Sequence, residues 1–124
     1  MVTARSAAIF GALSAAMAVA AGAFGAHALR DLVPEQRLDA WETAARYQLV
    51  HAIAVFLTAR WVARAVPGAR LAAWLFVVGT VLFAGSLYLL VLLDMPWLGA
   101  VTPFGGAALI AGWLGLAFAA FKHE

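Results

Sequence analysis

Long uncharged runs constrain this chain more strongly than any other feature of its sequence. A helix that crosses a lipid bilayer needs about 20 consecutive, mostly apolar residues. Three runs are close to that length, and each is closed by a charged residue at one end or both: residues 6–29, 71–93 and 103–121. These runs predict three membrane-spanning helices.

A further segment, between the first two of these runs, has a shorter uncharged core. The core covers residues 47–59, and these 13 residues alone are fewer than a span requires. Apolar residues continue beyond it, and Arg60 and Arg64, one helical turn apart near its end, have side chains long enough to reach the lipid headgroups. We therefore predict a span here as well, which makes four transmembrane helices in all.

The residues before this core predict a helical extension. Pro34 suits a first helical turn, and four apolar residues recur at helical spacing on one side: Leu38, Trp41, Ala45 and Leu49. Residues 34–48 therefore predict an amphipathic helix that lies along or rises from the membrane surface and continues into the second span. The predicted fold is a single all-α domain over residues 1–124, an integral membrane bundle of four transmembrane helices whose second helix is extended by this segment.

The composition excludes several other classes of protein. The chain is 66% apolar and 11% charged, whereas an ordinary soluble domain is about 45–50% apolar and about 25% charged. A soluble chain of this length could not bury so much apolar surface. The absence of cysteine excludes a disulfide framework and a thiolate metal site. The basic residues are too dispersed for a nucleic-acid surface.

The distribution of Lys and Arg predicts how the helices are oriented. With a cytoplasmic amino terminus, five of these residues lie inside: Arg5, Arg60, Arg64, Arg70 and Lys122. Three lie outside, together with most of the acidic residues: Arg30, Arg37 and Arg46. Because positive residues favour the cytoplasmic side, we predict a multi-pass protein of the plasma (inner) membrane with both termini in the cytoplasm. In a competing interpretation, residues 1–28 are a cleaved secretory signal.

Small residues recur about one turn apart on the first, third and fourth runs. On the first run they are Gly11, Ala15, Ala18, Gly22 and Gly25. Because such faces let helix backbones approach closely in lipid, they predict tight packing within the bundle. An interface between copies of the chain is the alternative.

Polar residues within the spans predict a common cluster. His27 lies near the outer end of the first helix, and His51 lies four residues inside Tyr47, about 6 Å deeper along the second. The two histidines are thus expected at one depth, below the outer headgroups. Gln48 lies one turn from His51 on the same side, and Tyr88 lies about 9 Å inside the outer end of the third run.

This predicted cluster has more than one interpretation. Its members are His27, Gln48, His51 and Tyr88. Ionisable residues inside a membrane usually pair toward the interior, so an interhelical hydrogen-bond network is the simplest. The cluster would otherwise bind a small molecule or a lipid headgroup, with Arg30 or Arg46 supplying positive charge. The two histidines are too few for a first-row metal site but would suffice for axial ligation of haem, and a proton relay is a further alternative.

Four sequence runs occur in this order: GAFGAH (22–27), WETA followed by YQLVHA (41–52), LFAGSLYLL (82–90) and VTPFGGAALIAGW (101–113). Together they resemble the small bacterial membrane proteins of the domain of unknown function 423 family, which are similar to the eukaryotic transmembrane protein 256. The resemblance covers most of the chain and implies a four-helix integral membrane protein, with no particular reaction. It also argues against signal cleavage, which would cut or remove GAFGAH.

The sequence favours a non-enzymatic role over an enzyme and leaves the choice open. It lacks the motifs of hydrolases, metalloproteases and nucleotide-binding enzymes, and we identify no catalytic residues, no metal ligands and no particular cofactor. The predicted function is a membrane scaffold or accessory subunit with an outer-leaflet polar pocket. A binding module for a lipid, quinone or haem is the alternative, and a small membrane enzyme or transporter is the third. Membrane lipid, a second copy or another membrane protein are the expected partners, and nucleic acid is not.

Overall fold

Four α-helices make up most of the structure. The computed structural model describes residues 2–123, and the helices within them are α1 (Ala4–His27), α2 (Glu35–Ala63), α3 (Ala69–Leu93) and α4 (Thr102–Lys122). Short turns of 3-10 helix, Leu29–Asp31 and Pro96–Ala100, precede α2 and α4. α1 packs along α2, α2 along α3 and α3 along α4, and short connections make such neighbours antiparallel. The predicted all-α bundle of four helices is confirmed.

Local signals in the sequence explain where α1 begins and where α3 ends. The Thr3 hydroxyl accepts a hydrogen bond from the backbone nitrogen of Ser6 at 3.0 Å, and the Ser6 hydroxyl accepts one from the backbone nitrogen of Thr3 at 2.8 Å. This reciprocal cap satisfies backbone donors that the helix leaves free. At the end of α3, Asp94 adopts a left-handed conformation with φ of 53°. Pro96 follows and cannot continue a helix.

Three helical segments are long and apolar enough to cross a membrane. They are α1, α3 and the stretch Pro96–Lys122, which contains α4. α2 has sufficient length, since its 29 residues extend about 44 Å, but its amino-terminal half is charged. The charged side chains exposed there are Glu35, Asp39, Glu42 and Arg46. α2 is therefore amphipathic over this half, and its longest uncharged stretch runs from residue 47 to residue 59.

The predicted amphipathic segment and the predicted second span form one continuous helix. The side that the sequence predicts to be apolar faces the bundle, where Trp41 and Ala45 are buried. The indole nitrogen of Trp41 donates to the carbonyl oxygen of Ala21 at 2.8 Å, and its ring packs edge-on against Tyr88. α2 therefore runs beside α1 from its first turns, well before Tyr47.

Glycine allows the helices to approach each other closely. Gly11 of α1 lies so near α2 that a Cβ there would come within 2.7 Å of the Ala52 carbonyl oxygen. A Cβ at Gly112 of α4 would come within 2.8 Å of the Phe76 ring on α3. These contacts confirm the prediction that small residues mediate helix packing within the bundle.

Charge is segregated between the two ends of the bundle. The end where α1 begins and α4 ends also holds most of the basic residues: Arg5, Arg60, Arg64, Arg70 and Lys122. The opposite end holds a mixture of signs, including an ion pair of 2.9 Å between Arg37 and Asp94. The uncharged lengths of α1, α3 and α4 lie between these two ends.

Candidate functional site

Gln48, near the middle of α2, connects three helices through hydrogen bonds. The residue is 6% exposed. Its amide nitrogen donates to the carbonyl oxygen and to the hydroxyl of Ser14 on α1, at 3.1 and 3.2 Å. Its amide oxygen accepts a hydrogen bond from the hydroxyl of Tyr88 on α3 at 2.6 Å. Because a buried amide without partners is costly, these bonds explain how Gln48 is accommodated in the interior.

His51, one turn further along α2, connects to α4. Its Nε2 accepts a hydrogen bond from the indole nitrogen of Trp113 at 2.9 Å. An indole nitrogen can only donate, so the proton of the imidazole lies on Nδ1, which donates to the carbonyl oxygen of Tyr47 at 2.7 Å. Both ring nitrogens of the buried His51 are therefore engaged within the protein.

We call these side chains together the polar network, defined as Ser14, Gln48, His51, Tyr88 and Trp113. It consists of two groups one turn apart on α2: Gln48 bonds to Ser14 and Tyr88, and His51 bonds separately to Trp113. It contains residues from all four helices. A separate hydrogen bond of 2.6 Å, between the hydroxyls of Ser86 and Thr102, joins α3 to the start of α4. Interhelical polar contacts of this kind fix the register of helices in lipid.

His27 lies outside the polar network. It is the last residue of α1 and is exposed. His51 adjoins Ala52, which packs against Gly11, and Gly11 lies sixteen residues from His27 along α1. That separation corresponds to about 24 Å along the helix. The expectation that the two histidines lie at one depth is therefore wrong.

The physical reason lies in where α2 begins. A depth counted from Tyr47 assumes that the second helix enters the membrane there, but α2 packs beside α1 from well before that residue. His51 consequently lies near the middle of the bundle, and His27 lies at one end. Side chains so far apart cannot ligate one iron, so the geometry argues against a haem held by this pair. Among residues 2–123, no three His, Asp or Glu side chains are placed to hold a metal ion.

The two arginines predicted to contact headgroups both have exposed side chains. Arg30 lies in the 3-10 turn after α1, and Arg46 lies on the side of α2 that faces away from the other helices. Neither belongs to the polar network. Contact of Arg30 and Arg46 with lipid headgroups stays a prediction.

A groove of about 280 Å³ lies between α1 and α3, and Ser14, Gln48 and Tyr88 of the polar network are among the residues that line it. Its wall on α3 extends from Thr80 to Tyr88. Leu13, Met17 and Val81, which also line it, are each more than half exposed. The groove therefore opens at the side of the bundle, where lipid chains lie in a membrane, rather than at either end.

Thr80, one of the residues that line this groove, has a side-chain hydroxyl without a hydrogen-bond partner. It is the one buried side-chain oxygen in the part of the chain that the structure describes with no hydrogen-bond partner, and the residue is 5% exposed. Threonine in a helix can donate to the carbonyl one turn earlier. Thr58 does so, to Ala54 at 2.6 Å, whereas Thr80 does not.

Comparison with known proteins identifies the family. The family described as "Protein of unknown function (DUF423)" matches residues 21–106. The chain belongs to this family. It is 42% identical over 118 residues to the UPF0382 membrane protein YwdK of Bacillus subtilis, covering 93% of this chain and 95% of that protein. It is also 42% identical over 114 residues to a UPF0382 membrane protein of Staphylococcus aureus, covering 92% and 93% of the two chains. No solved structure matches the chain.

This member of the DUF423 family is therefore a small membrane protein with transmembrane helices. The resemblance inferred from the sequence is confirmed. The region matched by the family includes Gln48, His51 and Tyr88, whereas Ser14 and Trp113 lie outside it.

Three residues of this DUF423 site are not among those predicted from the sequence: Ser14, Thr80 and Trp113. Trp113 did carry a usable signal, because an indole N–H in an apolar run needs an acceptor. Ser14 lies among the small residues of α1 and shows no polar pattern of its own. Thr80 is distinguished only by its packing, which depends on the rotation of α3.

Proposed function

We propose that this DUF423 protein is a non-catalytic membrane scaffold or accessory subunit. Its polar network would hold the four helices in fixed register. The observation that carries the proposal is that three of the four residues predicted to form a pocket, Gln48, His51 and Tyr88, already make hydrogen bonds within the protein.

The hydrogen bonds that Gln48 and His51 already make within the protein support this role. The amide nitrogen of Gln48 donates to Ser14 and its amide oxygen accepts from Tyr88, while both ring nitrogens of His51 are used by Trp113 and Tyr47. A substrate that bound these groups would first have to break contacts between helices or along α2. In membrane proteins such contacts are worth about 0.6 kcal/mol on average and at most about 1.7 kcal/mol, so several together are needed to define one packing.

The side of α2 that faces away from the other helices supports a role as a subunit of a larger membrane complex. Glu42 and Arg46 are exposed there. Arg46 lies fourteen residues from Arg60, which is about 21 Å along the helix, and the hydrocarbon layer is about 30 Å thick. Charged side chains at such depth usually pair. In residues 2–123 the one ion pair joins Arg37 to Asp94, so the charges of Glu42 and Arg46 are available to a partner.

Single cysteines test the proposed contact, because the chain has no cysteine of its own. Val50→Cys lies on the exposed outer side of α2, one turn from Arg46, and Leu114→Cys on exposed α4 is the matched control. Each is labelled in native membranes with a photoactivatable maleimide. We expect the α2 position to crosslink to one membrane protein of defined mass and the α4 position to lipid. A protein that crosslinks from neither position, and migrates as a single bundle in native gels, would not be an accessory subunit.

The proposed orientation is supported by the basic end of the bundle, since Lys and Arg favour the cytoplasmic side. That end carries Arg5, Arg60, Arg64, Arg70 and Lys122. A green fluorescent protein fused after Lys122 should fluoresce, and alkaline phosphatase fused there should be inactive. Active phosphatase at this position would show that the protein has the opposite orientation.

A further inference from the structure

Two charged side chains lie on the exposed side of α2 at the level of the middle of α1. Glu42 and Arg46 are one helical turn apart, and both are exposed. Gln48, two residues after Arg46, bonds to Ser14, which lies ten residues from the start of α1 and thirteen from its end. These separations are about 15 and 20 Å. Arg46 therefore lies near the centre of the length that α1 spans.

These two charges have no partner within the part of the chain that the structure describes. The one ion pair among residues 2–123 joins Arg37 to Asp94. Glu42 and Arg46 do not pair with each other either, although their spacing on the helix would permit it. Charged side chains at such depth are costly and usually pair. The pairing groups therefore come from a second molecule.

The presence of one charge of each sign selects a second copy of this chain as that molecule. A lipid headgroup would supply an anion to Arg46 and leave Glu42 without a cation. A different protein would have to present a cation and an anion in matching order at the same depth. A second copy inserted in the same orientation presents both at that depth, because it has the same sequence and the same fold.

We propose that two copies pair through the exposed sides of their α2 helices, about a two-fold axis along the membrane normal. Glu42 of one copy pairs with Arg46 of the other, and the two-fold axis repeats the contact. The two residues differ in depth by about 6 Å, a distance that the long arginine side chain spans. This pairing deepens the proposed subunit role, on which it rests, by naming the partner.

The uncharged surface beside these charges suits the same contact. Val50, Ile53 and Leu57 continue the exposed side of α2 at helical spacing and are 48%, 49% and 65% exposed. Ile53 also borders a groove of about 250 Å³ between α1 and α2, which Ala12 and Ala15 help to line. Small residues let a neighbouring helix approach closely in lipid. The apolar ridge of one copy therefore packs along the groove of the other.

Other charges on the same side of α2 lie nearer its ends. Arg60 and Arg64 lie at the basic end of the bundle, and Asp39 lies toward the opposite end. Repulsion between exposed like charges is screened by water and salt, whereas the deeper charges are screened less. The interaction of Glu42 with Arg46 therefore dominates the electrostatics of the contact.

Charge reversal in separately tagged copies tests the contact between chains. A copy with a FLAG tag is co-expressed with a copy with a decahistidine tag, and the FLAG-tagged copy retained on nickel resin is measured in mild detergent. Glu42→Arg in both copies, or Arg46→Glu in both, should reduce retention by about tenfold, because like charges then face each other across the interface. Glu42→Arg in one copy and Arg46→Glu in the other should restore it.

The mixed pair distinguishes a contact between copies from one within α2. Neither chain of that pair can form an ion pair between its own residues 42 and 46, so a contact within one helix predicts no recovery. Absence of recovery would therefore overturn the proposal, as would single variants that are retained like the wild type. Arg30→Glu in both copies is the control, because Arg30 is exposed in the turn after α1, and it should leave retention unchanged.

A crosslinking test leaves both charges in place and so applies even if the reversed charges prevent membrane insertion. In native membranes a short bismaleimide should convert Val50→Cys to a species of twice the mass of the chain. Leu114→Cys, on the exposed side of α4, should remain single. If Val50→Cys remains single and its photoactivatable label captures a different membrane protein, pairing of copies is overturned and the accessory role stands. If it remains single and captures no protein, both are overturned.

Discussion

The indole nitrogen of Trp113 donates a hydrogen bond to Nε2 of His51 at 2.9 Å, so α4 is tied to α2 as well as to α3. The Trp113 ring also packs edge-on against Phe76, with ring centroids 4.9 Å apart. This contact determines the imidazole tautomer and the rotation of α4. The sequence presents His51 as a possible cofactor ligand. In the structure its imidazole is instead held inside the bundle by this hydrogen bond.

Trp113→Phe removes the donor but keeps an aromatic ring against Phe76. We expect the free energy of unfolding to fall by about 1 kcal/mol, because Nε2 of His51 loses its partner in a nearly dry interior. Trp74→Phe is the matched control, since Trp74 is 41% exposed and outside the polar network. Unfolding in mixed micelles with increasing sodium dodecyl sulfate measures both variants. Equal stability of Trp113→Phe and the wild type would show that the bond is energetically unimportant.

Tyr88→Phe separates the hydroxyl of Tyr88 from its ring. The ring would keep its edge-on contact with Trp41, at 4.6 Å between centroids, while Gln48 would lose its bond of 2.6 Å. Because Gln48 retains both bonds to Ser14, the expected loss of stability is about 0.5–1.5 kcal/mol. Tyr47→Phe, at a residue that is 42% exposed, should change the melting temperature in detergent little. A similar loss in both variants would indicate a general effect of the hydroxyl.

The part of the site that lies on neighbouring helices could be predicted from the sequence. Gln48 and Tyr88 are among the polar residues of two adjacent apolar segments, and residues of this kind tend to meet inside a bundle. The hydrophobic runs likewise predict α1, α3 and α4, because the thickness of a bilayer sets the length of a spanning helix. These inferences need only the spacing along each helix.

The relation between His27 and His51 could not be predicted in the same way. It depends on how far α2 is shifted along α1, and the charged residues before Tyr47 suggest an entry point that α2 does not have. Packing of Trp41 between α1 and α3 determines the shift instead. The partner of Trp113 and the isolation of the Thr80 hydroxyl depend on helix rotation. Residue spacing along one helix contains no information about its rotation against another.

Gly11→Ala tests the close contact between α1 and α2. The added methyl group would lie 2.7 Å from the carbonyl oxygen of Ala52, a backbone atom that cannot move without moving α2. We expect destabilisation of about 1–3 kcal/mol, the usual effect of overpacking. Gly22→Ala, where nothing lies within 4 Å of the added carbon, should be neutral or slightly stabilising. Thermal melting in detergent compares the two, and an unchanged Gly11→Ala variant would show that the helices can separate at no cost.

The two histidines should differ in their effect on stability. His51→Ala removes both hydrogen bonds of a buried ring and leaves a cavity beside Phe76, so we expect a loss of about 2–3 kcal/mol. His27→Ala changes an exposed side chain at the end of α1 and should lower the melting temperature by less than can be resolved. A cofactor held jointly by both rings would make the two variants equally damaging and remove the same absorption band. That outcome would require His27 and His51 to be neighbours, against the separation of about 24 Å that the packing of Gly11 on Ala52 implies.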